Sequence, residues 1–133
     1  AKTDLFMYSC FMGDKGMVME LLNEGININV IDNYKMNALM WASFSNNLDI
    51  TKLLIDKSID INVQNEQGLS ALMLSCFNNN KDITKYLLEN NANYKLLNNS
   101  KFSAYEICTL KDSLESLLIL FEYDDNIDKK LRK

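Results

Sequence analysis

The chain reads as an all-α solenoid: about four helix-turn-helix units of 33 residues, stacked in line and joined by turn or short-hairpin fingers. Three features of its 133 residues carry that reading. Residues 32–64 are repeated by residues 65–97 without a gap, and 11 of the 33 positions are identical, among them Ala-Leu-Met, Asn-Asn and Asp-Ile-Thr-Lys. Residues able to cap a helix recur every 33 positions, at Asp4, Asn37, Ser70 and Ser103. Each has a side-chain oxygen that can accept a hydrogen bond from the free N–H groups of a helix start. Within each copy apolar residues fall at helical spacing, as in Ile50, Leu53 and Leu54 or Ile83, Tyr86 and Leu87, so one face of the second helix is buried. A unit this small cannot cover its own apolar face and needs neighbours.

In order, the units run over about 1–31, 32–64, 65–97 and 98–123, with a tail at 124–133, all within one domain, 1–133. In the first, Phe6 takes the place of Leu39, Ser9 of Ala42, Phe11 of Phe44, and Leu21-Leu22 that of Leu54-Ile55. In the second and third, Asp49 and Asp82 sit in the opening turn of the second helix, where the helix dipole favours negative charge. Gly25, Ser58 and Asn91 follow the second helices, where a left-handed residue is wanted; Ser fills that place less well than Gly or Asn. The stretches between units are rich in Asn, Asp and Gly with alternating apolar residues, which reads as turn or hairpin. Lys35 and Lys101 stand where Gly68 suits a turn, so those two fingers are expected to differ from the third. In the fourth unit Glu106 replaces a methionine, marking an exposed end. Trp41 shares a slot with Tyr8, Leu74 and Ile107, and is expected in the core.

Composition excludes several classes of function. No apolar run approaches the ~18–20 residues that span a bilayer, so no membrane role is expected. A net charge of −4 and a pI near 4.8 make the chain a poor generic binder of nucleic acid. The basic run at 129–133 reads as a solvated end. With no histidine there is no Ser-His or Cys-His pair, and the four glycines form no phosphate-cradling loop. Residues 124–128 lack the Gly and terminal Glu of a calcium loop. Neither catalysis, cofactor nor metal is expected. The three cysteines lack metal-ligand spacing. Cys10 and Cys76 occupy one slot two units apart, and stacked helices lie about 10 Å apart, so these two do not pair. Reduced core thiols, with no signal or membrane-spanning pattern, favour the cytoplasm; the start at Ala1 leaves location open.

Two short helices and a turn finger every 33 residues, with Asn37-Ala38-Leu39-Met40-Trp41-Ala42, Ser70-Ala71-Leu72-Met73, Asp49-Ile50-Thr51-Lys52-Leu53-Leu54-Ile55 and Ser58-Ile59-Asp60-Ile61-Asn62, resemble ankyrin repeats over about residues 3–123. The family's Thr-Pro-Leu-His becomes Asn/Ser-Ala-Leu-Met here, so Met7, Met40 and Met73 are expected to replace bonding by packing. The resemblance implies a non-catalytic module that grips a protein or peptide with its fingers and the inner faces of its first helices. By position those residues are Phe11, Met12, Phe44, Ser45, Phe77, Asn78 and Leu110 on the helices, and Tyr34, Met36, Glu66, Leu69 and Phe102 on the fingers. Phe11, Phe44, Phe77 and Leu110 would form an apolar column, either free to anchor a partner or packed sideways as core. An acidic rim would favour basic partners. The alternative is a structural segment of a longer repeat protein. Its apolar end helices, around residues 5–8 and 117–121, would then be covered by further repeats, by the tail or by a second copy.

Overall fold

A computed structural model describes residues 1–132. They form four helix pairs: α1 (Lys2–Met12) with α2 (Lys15–Asn23), α3 (Ala38–Phe44) with α4 (Leu48–Asp56), α5 (Ala71–Phe77) with α6 (Lys81–Glu89), and α7 (Ala104–Leu110) with α8 (Leu114–Leu131). No strand occurs among the described residues. The first helices pack in a row, α1 on α3, α3 on α5 and α5 on α7, with the second helices in a parallel layer behind them. Between the layers lies one core: Phe6, Leu39 and Leu72 from the first helices, Leu54, Leu87 and Leu120 from the second. The alanines at 38, 71 and 104 are buried, and their small size lets each unit close on the one before.

Three of the four expected cap residues, Asn37, Ser70 and Ser103, stand directly before a first helix. Asn37 Oδ1 accepts from Met40 N–H at 3.0 Å, and Ser70 Oγ from Met73 N–H at 3.3 Å. At Ser103 the bonding is turned round: Glu106 accepts from the backbone N–H of Ser103 at 2.6 Å and from its hydroxyl, which holds the Glu106 carboxyl below its ordinary range. Asp4 is not a cap. No turn-forming residue precedes it, Lys2 and Thr3 are helical, and Asp4 sits in the first turn of α1.

Three positions of the repeat take a left-handed backbone, all three in the second and third units and two of them in the first and fourth. They are Gly13, Asn46, Asn79 and Asp112 between paired helices, Gly25, Ser58 and Asn91 after second helices, and Lys35, Gly68 and Lys101 in the fingers. Lys35 and Lys101, with φ of 62° and 67°, adopt the conformation of Gly68, so the three fingers do not differ as the lysines suggested. The left-handed region costs a side-chain-bearing residue about 1–2 kcal/mol. The residue three positions earlier supplies the compensating bonds. Asp32 Oδ1 accepts from the N–H groups of Tyr34 and Met36, Asn65 Oδ1 from Gln67 and Leu69, and Asn98 Oδ1 from Ser100 and Phe102, all at 2.9–3.0 Å. The fingers are thus side-chain-tied turns, with no hairpin ladder. Gly68 is needed for a separate reason: a Cβ there would lie 2.8 Å from Asn99 N and 2.9 Å from Asn98 Cα of the next finger.

Asparagine amides join the units. Asn47 Nδ2 donates to the carbonyls of Cys10 and Phe11 at 2.9 and 3.0 Å. One unit on, Asn80 Nδ2 donates to Ser43 O at 2.8 Å and Phe44 O at 3.2 Å, while Asn78 Nδ2 also reaches Phe44 O. These close the orphan carbonyls at the ends of α1 and α3. At the last step the polarity reverses, and Asn79 Oδ1 accepts from Ser116 N–H at 3.1 Å. Met7, Met40 and Met73 are buried as expected, but Met40 also bonds, its sulfur accepting from Asn37 N–H at 3.2 Å. The three cysteines are free and buried, and burial pushes the Cys10 thiol up to about 12. Ser43, in the slot of Cys10 and Cys76, has a buried hydroxyl without a hydrogen-bond partner among the described residues.

Two substitutions separate these contributions. Asn80→Ala strands the Ser43 carbonyl and takes one of two bonds from that of Phe44, and is expected to cost about 1–3 kcal/mol in urea unfolding, whereas Ser43→Ala is expected to be neutral or to gain up to about 1 kcal/mol.

Candidate functional site: a row of clefts on the concave face

Each finger stands beside a first helix, and the space between them is a cleft. Four such clefts follow one another along the stack. The first, about 350 Å³, is lined by Tyr8, Phe11, Tyr34 and Trp41 with Asp4 and Asp32. The second, about 370 Å³, lies between Tyr34, Trp41, Phe44 and Leu74, with Met36 beneath. The third, about 310 Å³, is enclosed by Leu69, Phe77, Phe102 and Leu110 with Lys111. The fourth, about 370 Å³, opens beyond Phe102, Tyr105 and Leu110.

Within the column of apolar residues, Phe44 and Phe77 touch, 6.3 Å apart between ring centres and inclined at 39°. Phe11 meets Trp41 at right angles at 5.7 Å, and the Lys111 ammonium sits 4.3 Å above the Phe77 ring. Phe11 and Phe77 nonetheless remain exposed over 38 % of their surface, so packing on a neighbouring ring and facing outward are combined. Tyr34 at 64 % and Leu110 at 65 % are freer still, and Met12, Phe102 and the finger residue Glu66 are also exposed. Leu69 and Phe44 are half-buried. Three expected contact residues are engaged inside the molecule. Met36, at 5 % exposure, is core, and its sulfur accepts from Asn65 Nδ2 at 3.3 Å. The Ser45 hydroxyl donates to Trp41 O, and the Asn78 amide is held on Phe44 O.

Trp41 corrects the sequence reading. Leu74 and Ile107, in the same slot, are buried against the preceding unit, but Trp41 is only half-buried and walls two clefts. The preceding unit offers it the Phe11 ring at right angles instead of a full cover, and its indole N–H is drawn toward the finger by Asp32 Oδ2 at 2.8 Å. The finger bases Asp32, Asn65 and Asn98 were also missed, although an Asp or Asn at each of these three positions 33 apart was open to view. The rim is not uniformly acidic: Asp4 and Asp32 line the first cleft, whereas Lys111 lines the third.

At the far end Asp124 continues α8 where the earlier units turn. Its carboxylate accepts from Tyr94 Oη at 2.9 Å and Tyr105 Oη at 3.1 Å. Burial and that carboxylate keep the Tyr105 phenol well above its usual range, and the bond to Asp124 does the same for Tyr94. Among the described residues no group of His, Cys, Asp or Glu side chains is arranged to hold a metal ion, and no helix is long and apolar enough to cross a membrane.

Paired helices, tied fingers and in-phase left-handed turns define a repeat scaffold of the kind that carries protein-interaction surfaces. A family model described as ankyrin repeats (3 copies) matches residues 2–65 and again 59–132, and the chain belongs to the ankyrin-repeat family. Ankyrin repeats generally serve as protein–protein interaction modules and are typically non-catalytic. No curated protein matches the chain.

Exposure sorts the column into anchors and supports. Leu110→Ser and Tyr34→Ser are expected to shift unfolding free energy by less than about 0.5 kcal/mol. Phe44→Ala, which unpacks a half-buried ring, is expected to cost about 2 kcal/mol. Thermal and urea melts of the three variants measure the difference.

Proposed function

We propose that this chain is a non-catalytic module, one domain over 1–133 with units near 1–31, 32–64, 65–97 and 98–123, that binds a protein or peptide along its concave face. The observation that supports this most is the series of four apolar clefts at successive unit steps. Stacked helices repeat at about 10 Å, and a polyproline II peptide has about three residues per turn and rises about 3.1 Å per residue, so every third side chain of a peptide in that conformation meets a cleft. Phe11, Met12, Tyr34, Phe44, Leu69, Phe77, Phe102 and Leu110 are the apolar contacts, Glu66, Ser45 and Asn78 the polar ones, and Met36 the support beneath a finger. Exposed aromatic anchors contribute about 2 kcal/mol or more each when a partner covers them.

Panning a random peptide library is expected to yield sequences with bulky apolar residues three apart. A Phe77→Ser/Leu110→Ser double variant that melts like wild type should bind them at least about tenfold more weakly. Unchanged binding by a folded double variant would refute the groove.

A second reading has its own observation. Leu5 and Tyr8 occupy slots that in later units are filled by buried Ala38, Ala71 and Ala104 and by Leu74 and Ile107. Tyr8 is 61 % exposed, so α1 presents the face on which each later unit receives its predecessor. Stacking of another repeat unit or a second copy there would make the chain a segment of a longer array. Light scattering on a concentration series should then show mass rising with concentration, and a Leu5→Glu/Tyr8→Glu variant should stay monomeric.

A further inference from the structure

The first cleft differs from the other three in chemistry. Four aromatic rings line it, those of Tyr8, Phe11, Tyr34 and Trp41, together with the carboxylates of Asp4 and Asp32 and no lysine or arginine. Phe11 and Trp41 stand at 88° to each other, as two adjoining walls of a box. Asp32 fixes one wall through the indole N–H, and its other oxygen is occupied by two backbone N–H groups of the finger. Asp4 makes no hydrogen bond or ion pair among the described residues, which leaves its charge uncompensated at the margin of the cleft, in the exposed first turn of α1. The negative faces of aromatic rings attract cations, most strongly when the cation sheds water easily.

The lining also selects among cations. A primary ammonium has three N–H donors and is strongly hydrated. Only Asp4 is unengaged to receive them, so a bare lysine would lose more hydration here than it regains. Methyl groups remove donors and spread the charge over an apolar shell that rings can surround. We propose that this cleft binds a methylated ammonium, carried by a di- or trimethylated lysine of a peptide lying along the concave face. The ammonium site stands on the cleft alone; the peptide part rests on the groove reading above.

The chain's single tryptophan is Trp41, so its fluorescence reports on the site directly. Choline should bind saturably at constant ionic strength, and its neutral carbon isostere, 3,3-dimethylbutan-1-ol, at least about tenfold more weakly. Of two otherwise identical peptides selected on the groove, the one with trimethyl-lysine should bind about tenfold more tightly than the one with lysine. Tyr34→Ala and Asp4→Asn, both at exposed residues and checked for unchanged melting, should each weaken choline binding several-fold, and Leu110→Ser should leave it unchanged. Equal binding of choline and the isostere, or choline binding indifferent to Tyr34→Ala, would overturn the ammonium site. Choline binding tighter than the methylated peptide would overturn the peptide and assign the site to a free quaternary ammonium. Failure of the groove is seen separately, as peptide binding indifferent to the Phe77/Leu110 double variant while choline still binds.

Discussion

The structure depends on amide side chains that cross from one unit to the helix end of the unit before. A helix of seven residues, such as α3 or α5, leaves more than half its carbonyls or N–H groups without a partner in the helix. Short helices are viable here only because a neighbour closes those groups. Asn47 and Asn80 do so at the C-terminal ends, and Asn37 Nδ2 reaches Asp60 O at the other end of its own unit. The same logic extends to the turns after the second helices, where Asn29 and Asn62 accept from the N–H of Asp60 and Asn93, each one unit on. Cooperativity is therefore built step by step, with every bond of this kind local to one junction.

Much of this was legible beforehand because periodicity is a strong signal. A 33-residue period with Asn37, Ser70 and Ser103 in phase located the starts of three first helices, and Gly25, Ser58 and Asn91 located the ends of three second ones. Expectation failed where residue type was read without its partner. Lysine at 35 and 101 suggested altered fingers, but Asp32 and Asn98 determine the turn and the left-handed residue follows. Trp41 suggested core by analogy with Leu74 and Ile107; an indole too large for that slot, with an N–H to satisfy, was turned toward Asp32 instead. Asp4 suggested a cap, a role that depends on a turn before the helix.

The candidate surface was legible in outline and not in detail. The family resemblance placed Phe11, Phe77, Tyr34 and Leu110 at the candidate surface and left open whether the column of phenylalanines would anchor a partner or pack as core. It could not tell that Met36 would sink beneath its finger, nor that the Asn78 amide would be spent on Phe44 O. Nor could it show that the aromatic residues of two different units, Tyr8 and Phe11 from one and Tyr34 and Trp41 from the next, converge on one cavity. Convergence across a junction is a property of the stack, and no single repeat contains it.

That junction involves an end pair of helices, which like the pair at the far end packs on one neighbouring pair among the described residues. α1 and α2 pack against α3 and α4, and α7 and α8 against α5 and α6. A ligand that bridged Tyr8 and Trp41, as proposed for the first cleft, would act as a latch: occupancy of the cleft and closure of the end pair would become two readings of one equilibrium.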